Sequence, residues 1–154
     1  MFDKMKLSEE KMIIRAANLH DAALLTEIGR EAFVASHGPS ASETVIEDYV
    51  SKAYTVEAFT ESLADLSNFF HILFYRKKAV GYSKAVLNTE CPDHPGLAAM
   101  KLDRLYFLPD YFGMGLGKQL LFHLLQIARS ENQKGVWLYV WTENHRAVRF
   151  YEKS

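Results

Sequence analysis

Between Leu105 and Lys118 the chain changes its period across three glycines at alternate positions, Gly113, Gly115 and Gly117. Before them, Ala98 to Leu108 has the composition of a strand. After them, Leu116, Leu120, Leu124, Ile127 and Ala128 recur at three and four residues, the spacing of a helix that ends near Glu131 to Gly135. A strand-to-helix turn of this kind points unpaired backbone N–H groups outward at the positive end of the helix dipole, where a phosphate or pyrophosphate is stabilised. The turn therefore implies an anionic ligand, against the plainer alternative of a tight connection that binds nothing.

Two common phosphate loops do not fit. A Walker-type loop needs four residues between its first glycine and the Gly-Lys pair, then Ser or Thr; here only Met114, Gly115 and Leu116 intervene, and Gln119 follows. A dinucleotide fingerprint needs glycine where Lys118 stands, and its strand normally opens a βαβ unit.

Upstream, Met12 to Arg15 suits a strand, and Asn18 or His20 with Asp21 opens a helix carrying Ala23, Leu24, Ile28, Ala32 and Phe33, which Gly38 and Pro39 end. Two amphipathic helices follow, Thr44 to Lys52 and Thr55 to Leu66, the second with Val56, Phe59, Leu63 and Leu66 on one face. Phe69 to Tyr75 and Ala79 to Leu87 read as strands joined by a hairpin at Arg76-Lys77-Lys78, and Asn88 to Gly96 as a loop. Val136 to Trp141 is a strand of bulky residues, and Glu143 to Glu152 a helix with Ala147, Phe150 and Tyr151 inward. The order is β, helices, β, β, β, α, β, α.

Without repeats or linkers, 154 residues that are 49% hydrophobic make one domain, 1–154. A net charge of −1 speaks against a nucleic-acid partner. The single cysteine, Cys91, makes no internal disulfide, and no Cys/His spacing suggests a metal, which fits a reducing cytosol. The charged segment Met1 to Lys11 is no signal peptide, and no apolar run reaches the ~20 residues that cross a bilayer. A cytoplasmic protein with no membrane partner is expected.

The glycine turn resembles the acetyl-CoA loop of the GNAT N-acetyltransferase superfamily, which reads Gln or Arg, two residues, Gly, one residue, Gly or Ala. Gly115 and Gly117 occupy the glycine slots, with Leu105, Phe107, Pro109, Tyr111 and Gly113 as the preceding run; Phe112 stands where the family has Gln or Arg. Downstream, Asn144, Ala147, Phe150 and Tyr151 match the family's second signature. The resemblance implies an α/β (α+β) fold with a mixed, mainly antiparallel twisted sheet, splayed central strands and flanking helices. It also implies that Asp103 to Phe107 and Val136 to Val140 diverge to admit the pantetheine arm. On this footing Leu105, Phe107, Phe112, Gly113, Met114, Gly115, Leu116, Gly117, Lys118, Asn144 and Tyr151 hold acetyl-CoA. The family normally adds two strands after the Tyr-bearing helix, and these are missing before Ser154. Either the sheet closes without them, or a second copy covers the edge as a homodimer, or the chain is a shortened product.

Acetyl transfer to an amine needs a base for the amine proton, a donor to the developing oxyanion and an acid for the departing thiolate. Asp103 is the first candidate base, because period-two alternation sets it on the face of Leu105 and Phe107; Glu31 and His37 are the other candidates on the acceptor side. The Leu105 N–H is the oxyanion donor and Tyr151 the acid, a phenol whose ordinary pKa of about 10 lies close to a thiol's at about 8.5. Against these stand plainer readings: Asp103 as an ion-paired strand residue, Tyr151 as core, Trp137, Tyr139 and Trp141 as packing, His123 and His145 as helix-face residues. Met100 to Phe107, Val136 to Trp141 and Glu31-Ala32-Phe33 look most like bacterial polyamine acetyltransferases. Glu31, Glu43, Glu47 and Asp48 are the acids for such a polycation. Amino acids, aminoglycosides and protein N-termini are the other acceptors, and a non-catalytic acyl-CoA-binding or regulatory module is the alternative function.

Overall fold

The structure, a computed structural model, describes residues 11–140, 147, 149 and 150. Strand β1 (Met12–Ala16) leads through the 3-10 turn Leu19–Asp21 into helix α1 (Ala22–His37). Asn18 is the cap: its side chain accepts from the His20 N–H at 2.9 Å, while the Asp21 carboxylate accepts from the Asn18 N–H at 2.9 Å. Arg15 donates two 2.8 Å bonds to Asp21 and, as the largest influence, holds that carboxyl below its ordinary value. Helices α2 (Glu43–Ala53) and α3 (Val56–Ala64) begin at Ser42 and Thr55, whose hydroxyls accept from the Val45 and Ala58 N–H groups.

The helix expected to reach Leu66 stops at Ala64. Asp65 accepts from both the N–H and the hydroxyl of Ser67, a local turn that competes with the helix and leaves Leu66 91% exposed.

Strands β2 (Asn68–Tyr75), β3 (Lys78–Glu90) and β4 (Ala98–Phe107) form an antiparallel meander, and β5 (Val136–Trp137) joins β4 in parallel, giving the sheet order β1-β2-β3-β4-β5. The β2–β3 hairpin turns on Arg76 and Lys77, both with positive φ. Strand β3 runs past Asn88, where a loop was expected. Its left-handed Asn88 forms an irregularity, and Gln133 satisfies it by accepting from the Asn88 N–H and donating to its side-chain oxygen.

Helix α4 (Leu116–Ser130) covers one face of the sheet. There Leu120 packs with Leu73, Val80 and Phe107, and Leu124 with Ala85, Met100 and Leu102. Helices α1 to α3 cover the other face, burying Leu25, Ile28, Phe33, Tyr54 and Phe59 against Phe70, Ile72 and Tyr82. Among the described residues, no helix is long and apolar enough to cross a membrane.

Candidate active site

The geometry of the site follows from one extra residue in β4. Opposite Lys84 stands Arg104, but opposite Ala85 stands Leu102, so Asp103 has no cross-strand partner and forms a β-bulge. A bulge inverts the alternation that follows it. Before it, the Met100 N–H donates toward β5, to the Gly135 carbonyl at 3.0 Å; after it, the Leu108 N–H donates toward β3, to the Val80 carbonyl at 2.9 Å. Counting back from Leu108, the N–H of Tyr106 also points to β3, and those of Leu105 and Phe107 point to the opposite edge.

That edge is open. Strand β5 pairs only Val136 with Met100 and Trp137 with Lys101, and the pairing ends where the bulge begins. Residues 138–140 lie in no strand, so β5 is shorter than the expected Val136 to Trp141; Trp141 itself is outside the described residues. The divergence leaves a cavity of about 290 Å³ between Leu102–Phe107 on one side and Tyr139 and Val140 on the other. Ser36 and His37 close it from the end of α1. Residues 111–113 and 115–118 close it from the glycine turn, together with Ala147 and Phe150.

The bulge also corrects the expectation for Asp103, which is not on the face of Leu105 and Phe107. Leu105 packs toward α4, whereas the Asp103 carboxylate meets Lys84 at 3.2 Å and Lys101 at 3.3 Å, and Lys84 lies over the Phe70 ring in the opposite core. Burial by itself would raise the Asp103 carboxyl, but the charges and hydrogen bonds of the two lysines outweigh it and hold the group below its ordinary value.

The turn is built for close approach of a ligand backbone. Gly113 and Gly115 have φ of 77° and 78°, and a Cβ on either would meet open space. The Gln119 N–H reaches the Gly115 carbonyl at 3.3 Å, so the N–H groups of Leu116, Gly117 and Lys118 precede the first bond of the helix ladder. They aim a positive dipole end at the cavity mouth, a donor set suited to a phosphate or pyrophosphate.

Of the other expected residues, Phe112 lies on the cavity wall, and so does His37, buried and stacked on Phe33 at 4.3 Å. Met114 is exposed and off the wall, and Glu31 is exposed on α1. Asn144 and Tyr151 lie outside the described residues. Trp137 and Tyr139, expected as packing, also receive a cation: Lys101 Nζ sits 5.4 Å and 5.6 Å from their ring centres.

Sequence reasoning missed Arg104 and Tyr106, which line the cavity on the α1 face. The Arg104 guanidinium lies 5.0 Å from the Tyr54 ring centre and 5.6 Å from that of Phe59. Burial would lower its pKa, but Tyr82 and Tyr54 offset this and it is raised, so Arg104 is always charged. The available signal was a lone arginine inside a half-buried strand, Leu102-Asp103-Arg104-Leu105-Tyr106.

The sequence pattern of the acetyltransferase (GNAT) family matches residues 30–154. An uncharacterized N-acetyltransferase from the pepI 3' region of Lactobacillus delbrueckii subsp. lactis is 25% identical, over 80% of this chain and 72% of that protein. The spermidine N(1)-acetyltransferase of Thermoplasma acidophilum is 26% identical, over 92% and 85%. Among solved structures, the PaiA N-acetyltransferase of Thermoplasma acidophilum in complex with coenzyme A superimposes with a TM-score of 0.81, at 24% identity over 92% of this chain and 87% of that one.

Proposed function

The chain belongs to the acetyltransferase (GNAT) family and is an acetyl-CoA-dependent N-acetyltransferase; from that premise we propose how its own residues carry the transfer and on what acceptor. The observation that carries the reading is the open edge of β4. A bulge turns the N–H groups of Leu105 and Phe107 into a cavity whose other end is the glycine turn. Acetyl-CoA supplies the activated acyl group.

The N–H groups of Leu116, Gly117 and Lys118 hold the pyrophosphate, the Phe107 N–H bonds the pantetheine, and the Leu105 N–H donates to the thioester oxygen as negative charge gathers there. The acceptor nitrogen bonds to the acyl carbon as the carbon–sulfur bond breaks. Asn144, which the family signature sets beside the pantetheine, orients it, and Tyr151 gives its phenolic proton to the sulfur.

The nitrogen's proton goes to a base on the α1 side. His37 suits this role because it is on the cavity wall and a neutral imidazole nitrogen can accept a proton. Asp103 suits it less, being ionised and held by Lys84 and Lys101. The likeness to a spermidine N(1)-acetyltransferase supports a polyamine acceptor. Among the described residues, however, Asp103 is the one carboxylate on the cavity wall, and Glu43 and Glu47 line a separate groove between α1 and α2.

The test is release of free thiol from acetyl-CoA in the presence of a panel of primary amines. Turnover on one class of amine is expected, and Tyr151→Phe should lower kcat while leaving coenzyme A affinity near that of the wild type. Coenzyme A binding without turnover on any amine is the result of a non-catalytic acyl-CoA-binding module and overturns the reading.

A further inference from the structure

We propose that Arg104 seats a carboxylate of the acceptor, so that the amine acetylated is an amino-acid-type molecule carrying a carboxylate a few bonds away, rather than a polycation. The inference rests on the acetyl-transfer reading and names its substrate class.

Three observations carry it. Arg104 is a partly buried cation on the cavity wall, and among the described residues no carboxylate pairs with it. Burying a charge is costly unless it is paired, and what packs on this guanidinium among the described residues is the faces of the Tyr54 and Phe59 rings, which hold a cation without neutralising it. A guanidinium has five N–H donors in a planar fork that matches a carboxylate.

Next, the nearest acid in sequence is already engaged. The Asp103 carboxylate is shared between Lys84 and Lys101, so this stretch of the sheet face holds three cations against one carboxylate. Third, Lys84 is the direct cross-strand partner of Arg104. Like charges in that position repel, and an anion seated on Arg104 relieves them, whereas a polyamine adds to them.

Arg104 and Leu105 are consecutive and line the same cavity, the first with its side chain on the α1 face and the second with its N–H on the slot edge. An acceptor can therefore lay its carboxylate on Arg104 while its amine faces the thioester.

The experiment compares matched amines on the wild-type protein: α- and ω-amino acids, the same molecules as amides, and spermidine and spermine. We expect kcat/KM for at least one acid to exceed that of its amide by about tenfold or more, with polyamines poorer still. Arg104→Gln should shrink the acid-to-amide ratio toward one through KM for the acid, and Arg104→Lys should restore part of it. Amides or polyamines turned over as well as the acids overturn the carboxylate seat while leaving acetyl transfer intact. If no amine is turned over, acetyl transfer fails. The seat is then read on coenzyme A-loaded wild-type protein, by calorimetric titration with N-acetyl amino acids and their amides. Tighter binding of the acids upholds the seat, and equal binding overturns it. Because the wild-type comparison needs no variant, a misfolded Arg104→Gln leaves the decision in place.

Discussion

Gly81 lies directly across the sheet from Phe107, and the Phe107 ring occupies the space that any side chain at position 81 would need. The ring packs on β3 in this way because its backbone N–H must face the slot, which turns the side chain down into the core with Leu73, Val80 and Leu116. Gly81→Ala should therefore overpack the core and cost roughly 1–3 kcal/mol, seen as a lower midpoint in urea. Since Phe107 can yield only by moving β4, coenzyme A affinity should fall as well. A variant as stable as the wild type would mean that the ring relocates freely.

Gly115 makes a different demand. Its φ is 78°, yet a Cβ there would meet only open space, so Gly115→Ala carries conformational strain without a clash. The strain is about 1–2 kcal/mol, and it falls on the residue that aims the first turn of α4 at the ligand. Gly96, with φ of 89° and the same open space, lies in the loop before β4 and off the cavity wall, which makes it the control. Both variants should lose similar stability, but only Gly115→Ala should weaken coenzyme A binding, by about tenfold or more in calorimetry. Equal affinities in the two variants would remove the turn from the ligand site.

The glycine turn was legible in the sequence because it rests on local chemistry: alternate glycines between a two-residue and a four-residue period. The helix opening at Asn18 and Asp21 obeys the same local rules, and so does the burial of Leu120 and Leu124. What alternation could not reveal was the bulge at Asp103, since an extra residue in a strand leaves no mark in composition and is fixed only by pairing with β3. That single residue reverses the expected face of Asp103 and brings Arg104 and Tyr106 to the α1 side. The end of α3 was misread for a related reason, because the Asp65–Ser67 turn outcompetes a helical pattern that formally continues to Leu66.

His71 of β2 and His123 of α4 meet edge to face, with ring centres 5.3 Å apart. Burial, with the His123 charge adding to it, pushes His71 down to about 4, and its Nδ1 is a buried nitrogen with no hydrogen-bond partner among the described residues. Its folded pKa is depressed, so the unfolded chain takes up the proton first, near pH 6.5. The stability it contributes is whole above that value and is lost as pH falls toward 4, at most ~3 kcal/mol. Urea unfolding across pH 7 to 4 should show this slope, and His71→Leu should flatten it. An unchanged slope in the variant would assign the acid sensitivity to other groups.

The paired lysines around Asp103 separate its structural role from a catalytic one. Its folded pKa lies below the ordinary carboxylate value of about 3.9, so its contribution to stability is present above that value and lost as pH falls through the folded pKa. Asp103→Asn should thus be less stable than the wild type at pH 7, by about 1 kcal/mol given the partial exposure of all three side chains, and should match it at strongly acid pH. A base must bind a proton in the working range, and a carboxylate held down by two ammonium groups stays ionised throughout it. The acid limb of kcat/KM against pH should therefore survive in Asp103→Asn, whereas His37→Gln, changed on the same cavity wall at the end of α1, should lower kcat. If instead the limb vanishes with Asp103→Asn and kcat drops by about 100-fold or more, the lysines must release the carboxylate when the acceptor binds, and the base is Asp103 after all.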